Sequence, residues 1–449
     1  MIKKIFIAIL ILLLLGAGIA AYFYFFSNKT DETGQPTFSL SDIFPFGDNG
    51  IGPKENPTDE PTNPDGETPN TPSEPTTTPR LQMVNRGPIA GAHVYDTTRE
   101  IPPANHEIVG VDGKPLPIET EPATKVRYVE TATGHISETY LDALDIKKIT
   151  STTIPKIAEA YFGNKEGTSA LLRYADEKNN IQTFAGTIPT LDKKDGTPDT
   201  NLIGSYLPEN IMTMAVSPDA QKILTIVKNE NGSVGSISLP NGTKKSQLFS
   251  LAYSEWLSQW PNAKFVTITT KASAKVPGYM YTIDTTTKSM KKVIGGVLGL
   301  TTLTSPDMKN ILFSRSGSST VTSSIYSTTG KTALPLPGAT TLPEKCIWQS
   351  NTILYCAVPT FIPNGDYPDV WYQGGISFVD QIYKINITDY SATVIGSPSE
   401  VDAIIDAINL SVDPSNTFLI FTNKRDGSLW SLDLRPDSER VKPTAAPTE

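Results

Sequence analysis

Cysteine and histidine are scarce, with two and three copies in 449 residues. Two cysteines exclude a disulfide-rich scaffold and a cysteine-ligated zinc module. His93, His106 and His135 are the whole imidazole supply, and none has an H-x-x-x-H or H-E-x-x-H partner, so no zinc signal arises. Charge is sparse too, at 19% of residues, and 38 basic against 47 acidic residues leave a net charge of −9. With no basic cluster beyond the extreme N-terminus, a nucleic-acid partner is excluded. No G-x-S-x-G nucleophile elbow and no cofactor fingerprint occur, so neither cofactor nor metal is expected. What is abundant is Thr, Ser, Gly and Pro, the composition of turn-rich β structure rather than of long helices.

The N-terminal part is organised around a membrane. After a four-residue N-terminus, Ile5 to Phe26 form 22 residues without a charge, enough for a helix across a hydrocarbon core of about 30 Å. Lys3 and Lys4 precede the run, whereas Lys29 is followed by Asp31 and Glu32, which predicts a cytoplasmic N-terminus and export of everything after Ser27. A cleaved signal peptide is the alternative, since small residues occupy Ala17 to Ala21, but the apolar run continues through Phe26. No cysteine near its end suits a lipoprotein anchor. Residues 27–52 are a juxtamembrane segment, whose TFSLSDIFPFG stretch either lies at the membrane surface or forms a short turn near the headgroups. Residues 53–80 read as a disordered stalk: Pro53 to Pro79 holds eight prolines, seven threonines and six acidic residues against Lys54, a composition that cannot bury a core. In polyproline II such a segment extends by up to roughly 80 Å.

From Leu81 to Arg435 the chain repeats. AVSPDAQKILTIV from Ala215, TLTSPDMKNILFS from Thr302 and LSVDPSNTFLIFT from Leu410 each read as a small strand, a turn and an apolar strand. WLSQWPNAKFVTIT from Trp256 and CIWQSNTILYCAV from Cys346 are degenerate copies. Pro218, Pro261 and Pro306 are 43 and 45 residues apart and the turn near Ser350 follows 44 later, a propeller-blade period. Hairpins follow at similar offsets in VGSISLPNGTKKSQLF, YTIDTTTKSMKKV and IYSTTGKTALPL, and the pattern recurs earlier in Val126 to Leu141 and Tyr161 to Ile188. Inner apolar strands near Ile89, Ala170, Ile223, Phe265, Ile311, Ile353 and Phe418 give an all-β fold of seven blades, with six if the weak first one is discounted. Leu81 to Arg86 would add a strand to the last blade and close the ring, leaving 436–449 as a disordered tail.

The turns carry a resemblance. Ser217, Pro218, Asp219 and Ser305, Pro306, Asp307, with Asp413 and Pro414 as a partial copy, resemble the Ser-Pro-Asp-Gly turn of TolB-type, WD40-like β-propellers. The fourth position departs from that pattern, being Ala220 and Met308. The resemblance implies the propeller fold and no particular activity. The layout of anchor, stalk and propeller also resembles uncharacterised membrane-anchored propeller proteins of ultra-small, candidate-phylum bacteria, which implies location but no chemistry.

Several residues invite a chemical reading. A hairpin centred on Asn351 would set Cys346 opposite Cys356, within disulfide reach in an oxidising exterior; two buried thiols are the alternative. The turns near Ser350 and Pro414 are some 20 residues further apart than the repeat requires, and the excess falls in Val358 to Gly375. Within this inserted loop Asp366, Tyr367, Asp369, Trp371 and Tyr372 combine carboxylates with aromatic faces, equipment for stacking on a sugar or a peptide side chain; alternatively Trp371 and Tyr372 fill a groove between blades. His135 aligns with Lys331 in an ordinary hairpin turn, which argues against catalysis despite Glu130 and Glu138 nearby. Asp192, Asp195 and Asp199 depart from calcium-loop spacing, and Trp256, Trp260 and Trp348 occupy strand positions suited to blade packing. No α/β domain of the kind that propeller-gated peptidases carry is expected. The reading is a propeller that binds an envelope protein or acts as a scaffold. A cell-envelope glycan hydrolase or glycan-binding protein with carboxylates at the channel mouth is the alternative, and a purely structural spacer a third.

Overall fold

The computed structural model describes residues 79–101, 119–189 and 200–440. The expected membrane span, the juxtamembrane segment, nearly all of the stalk, His106, Asp192, Asp195 and Asp199 lie outside the described residues. Among the described residues no helix is long and apolar enough to cross a membrane.

The described chain folds into seven four-stranded antiparallel sheets. Six are simple meanders, spanning residues 89–148, 159–206, 211–251, 256–298, 301–335 and 346–396, here blades one to six. Blade seven takes three strands from 407–433 and its fourth from the start of the domain: Leu81–Asn85 pairs with Leu429–Asp433, Leu81 opposite Leu432 and Met83 opposite Trp430. Closure by strands from both ends of the domain leaves the ring without an open seam. First strands of neighbouring blades lie side by side, Ile89–Glu100 beside Glu159–Gly163 and also beside Ala407–Val412 of blade seven, so they form the innermost ring.

Blade packing explains the sequence pattern. Every second strand is covered by a blade on both sides, so both of its faces must be apolar and the alternation expected of a half-exposed strand disappears. In Phe418–Asn423, Leu419 and Phe421 pack towards Tyr355 and Ile382 of blade six, while Phe418 and Ile420 pack towards Val94 and Val126 of blade one. Seven such apolar clusters fill the seven seams, and an eighth lies under the inserted loop.

Some expected positions shift. Ala170, Ile223, Phe265, Ile311, Ile353 and Phe418 lie on second strands, not innermost ones; only Ile89 of the seven is on a first strand. The short stretches before each turn, which bury less, are the channel-side strands. Val126 to Leu141 is a second-to-third-strand hairpin, so His135 sits on the opposite face of the disc from Lys331, which belongs to a third-to-fourth turn. At the C-terminal end, Asp437–Arg440 form one helical turn beyond the expected limit at Arg435.

Candidate functional site

Antiparallel meanders send their turns alternately to two faces. Turns between strands one and two and between three and four make the first face; turns between two and three, and links between blades, make the second. The inserted loop leaves blade six after Ile353–Pro359 and returns at Asp380–Asn386, so it belongs to the second face.

The loop is fastened along its length. Gly365 N–H donates to Ser319 O of blade five at 3.0 Å, Asp366 pairs with Lys275 of blade four at 2.7 Å, and Asp369 Oδ2 accepts Ala274 N–H at 2.5 Å. Gly299 lets it settle: with φ at +62°, a Cβ there would lie 2.6 Å from Tyr367 O. Tyr367 and Trp371 are buried, their rings flanking Phe378 at 6.0 and 6.1 Å, beside Val321 and Leu342. The half-buried Tyr372 donates its hydroxyl to Glu344. Burial between blades leaves Tyr367 and Trp371 no open face for a ligand to stack on, while Tyr372 stays half-buried. Of the five expected residues Asp366 stays the most open, and it is engaged by Lys275.

Beneath the loop lies an ionic centre that the sequence did not signal. Lys345 ends a short 3-10 turn, Pro343–Lys345, and points its ammonium at Asp380 Oδ2 (2.7 Å) and Asp406 Oδ1 (2.5 Å), all three side chains fully buried. It also donates to Ala407 O at 3.0 Å and lies 5.2 Å from the ring centroids of Trp371 and Phe378. The two carboxyls respond differently. Burial would raise Asp406, but Lys345 and donors from Trp371 Nε1 (2.9 Å) and Phe378 N–H (3.0 Å) outweigh it and hold the carboxyl below its ordinary range. Asp380 has Lys345 and the Ala407 N–H on one oxygen and no partner on the other, so burial wins and its pKa rises to about 6. Burial likewise pushes Glu344 up. These acids are structural: each is closed off from solvent or already paired.

Among the exposed residues of this face are three apolar side chains. Phe361 is 73% exposed, Ile404 55% and Val379 44%. Main-chain bonds run their segments side by side, Thr360 N–H to Val379 O at 2.8 Å and Asp380 N–H to Ile405 O at 2.9 Å. Phe361 falls within the loop of excess length, where the carboxylates and the Tyr and Trp rings are the more conspicuous residues; Val379 and Ile404 carry no local signal.

The remaining candidates serve packing. Cys346 and Cys356 are bonded (S–S 2.06 Å) across the first two strands of blade six, in register with each other. His135 Nε2 lies 3.0 Å from the Thr153 hydroxyl, and burial lowers the pKa of His93, whose Nε2 is 2.8 Å from Lys165 O. Trp256 and Trp260 pack in the seam between blades three and four, Trp348 in that between five and six.

No known family model matches the chain, and no curated protein matches it in sequence. Among solved structures it is similar to TolB from Acinetobacter baumannii (TM-score 0.38, 11% identity, 58% of this chain and 59% of that one). Oligogalacturonate lyase from Vibrio parahaemolyticus gives 0.44, 10% identity and coverage of 79% and 100%. The β-propeller domain of the Trilobed protease from Pyrococcus furiosus gives 0.43, 12% identity and coverage of 69% and 92%. The chain thus spans less than two thirds of that TolB chain. These likenesses concern the propeller architecture alone.

Proposed function

We propose that the protein is a membrane-anchored, extracytoplasmic propeller that holds a protein partner in the cell envelope. The observation that carries this reading is that Phe361, Val379 and Ile404 are exposed on three segments joined by main-chain hydrogen bonds, on a face whose loop is otherwise locked down. Ordinary surfaces scatter such residues singly; set together on a rigid support they suit an apolar segment of a partner. The uncharged run from Ile5 to Phe26 and the Pro/Thr-rich stalk support the anchored, exported placement.

The glycan-hydrolase alternative needs two carboxyls facing an open site about 5 to 10 Å apart. The inserted loop and its surroundings instead commit Asp366 to Lys275, Asp369 to a backbone N–H, and Asp380 with Asp406 to Lys345. That favours binding over hydrolysis.

The test is crosslinking and recovery of the full-length chain from envelope membranes in mild detergent, beside a Phe361→Ser/Ile404→Ser variant whose melting temperature is checked first. A stoichiometric protein captured by the native chain and lost from an equally stable variant supports the reading. Capture that survives the double change, or recovery of glycan that shortens during incubation, sinks it. Trp371→Ala is unsuitable as a probe, because removing that buried ring costs about 3–5 kcal/mol of stability.

A further inference from the structure

The first face carries a different feature, in the seam between blades three and four. Four turns meet there: Ser217 to Lys222 and Leu239 to Ser246 from blade three, and Trp260 to Ala263 and Thr285 to Lys288 from blade four. They enclose a cavity of about 390 Å³. Its lining includes Lys222, Lys244 and Lys288 against one carboxylate, Asp219. Among the described residues none of the three lysines has a carboxylate within ion-pair distance, whereas Lys264 nearby is paired with Asp284 at 3.7 Å. Asp219 is already engaged, its Oδ1 accepting from the Ser217 hydroxyl at 2.5 Å and from Gln221 N–H at 3.1 Å. The wall beneath is apolar, made by Leu239, Leu248 and Trp260, and the indole N–H of Trp260 is buried without an acceptor.

Such a lining is not a by-product of the repeat. The corresponding seam between blades five and six has a cavity of about 170 Å³ whose walls, among them Ile325, Leu334, Pro337 and Tyr390, include no charged side chain. On a chain of net charge −9, three lysines without a close ion pair around one cavity, against the single carboxylate of Asp219 on which Lys222 acts, mark a local excess of positive charge.

We propose that this cavity binds a small oxyanion-bearing ligand with a sugar-sized body, its phosphate or carboxylate group met by Lys222, Lys244 and Lys288. The volume suits a compact ligand rather than a polymer segment, since pockets for drug-sized molecules run from about 300 to 1,000 Å³. Ammonium groups act on an oxyanion as point charges with several rotatable donors, so the site selects charge more strongly than geometry. Phosphate and carboxylate share that chemistry, and the experiment separates them. The site lies on the opposite face from Phe361, Val379 and Ile404 and does not rest on the protein-docking reading.

The test is calorimetric titration of the full-length chain in mild detergent with glucose 6-phosphate, glucuronate, inorganic phosphate and glucose. Saturable binding of glucose 6-phosphate or glucuronate, at least tenfold tighter than glucose and inorganic phosphate, is expected, and the tighter of the two names the anion. Each single Lys→Gln change should weaken it by about tenfold, and raising KCl should weaken it further. The K222Q/K244Q/K288Q variant should lose binding while its melting temperature stays close to native, because the three side chains are exposed and without a close ion pair. No saturable binding of either charged sugar below 10 mM, on the order of the weakest useful affinity, or unchanged binding by the triple variant, overturns the proposal. Inorganic phosphate binding as tightly as glucose 6-phosphate would overturn the sugar-sized body.

Discussion

At the scale of single residues, the molecule keeps several ionisable groups away from water, and their partners decide what each does to stability. Lys345 neutralises two carboxylates in a space closed to solvent, so removing its charge leaves both uncompensated. Lys345→Met is expected to cost about 3–5 kcal/mol, read as the shift of a denaturant midpoint; a loss under 1 kcal/mol would show that the acids find other partners or protonate at little cost. Asp413 is a different case. It is buried, its Oδ1 accepts N–H donors from Thr417 and Phe418 at 2.8 and 2.5 Å, and its Oδ2 accepts no N–H or hydroxyl but faces the influence of the Asp96 carboxyl. Burial, then the neighbouring Asp96 carboxyl, raises its pKa to about 6. An unfolded aspartate titrates near 3.9, so the folded chain retains a proton that the unfolded chain releases. That contribution to stability is complete below about pH 4 and is lost as pH rises through about 6. Asp413→Asn keeps an acceptor for the two N–H groups and turns an amide towards Asp96. The variant should therefore be more stable than native at pH 7.5 by about 1–2 kcal/mol and equal to it near pH 4. Parallel pH profiles would refute this account.

At the scale of elements, the turn between first and second strands shows why the repeat could be read at all. In the Ser217 turn, Lys222 N–H donates to the serine hydroxyl at 2.9 Å and the hydroxyl donates to Asp219; Ser305, Asp307 and Asn310 repeat the arrangement. Ser and Asp are needed because their oxygens tie the turn to itself. The fourth residue must take a left-handed conformation, Ala220 with φ at +55° and Met308 at +65°. This is where the sequence departs from glycine, and the departure carries strain. Ala220→Gly should raise stability by about 0.5 kcal/mol, the αL penalty removed less the added unfolded-state entropy; a lower melting temperature would mean that the methyl packs to advantage. The blades were legible because these turns punctuate them and because second strands, covered on both sides, read as unbroken apolar runs. Their order within the blade was not, since the innermost strands are short and half-polar and look like lead-ins to the turn. The ionic centre was illegible for another reason. Lys345 and Asp406 are 61 residues apart and meet only once blades six and seven are docked, and Lys345 sits in LPEKC without any pattern to mark it. The inserted loop was visible as excess length, yet its most conspicuous rings, Tyr367 and Trp371, were buried by the seams it crosses.

At the scale of the whole molecule, the ring is held at one place by a strand that comes from the other end of the domain. Leu81–Asn85 serves two seams at once: Leu81 belongs to the apolar cluster between blades six and seven, Val84 to the one between seven and one. A propeller without that strand would present blade seven with an unpaired edge and two thinned seams. Leu81→Ala/Val84→Ala removes buried methyl groups from both, at a cost of roughly 4 kcal/mol if neither cavity collapses. The distribution of the loss tests the role of closure. Apart from the inserted loop, which ties blade six to blade four, blades pack on their neighbours, so loosening the strand should lower hydrogen-exchange protection in blade seven and in the facing strands of blades six and one, while blade three, away from both, keeps its protection. If blade three loses protection to the same extent, the ring opens only as a whole, and the strand acts on one cooperative unit rather than as a local clasp. Both docking surfaces inherit the outcome. The segments of Phe361, Val379 and Ile404 bridge blades six and seven and should soften with the clasp, whereas the lysine-lined cavity between blades three and four should bind charged sugars with unchanged affinity in the same variant.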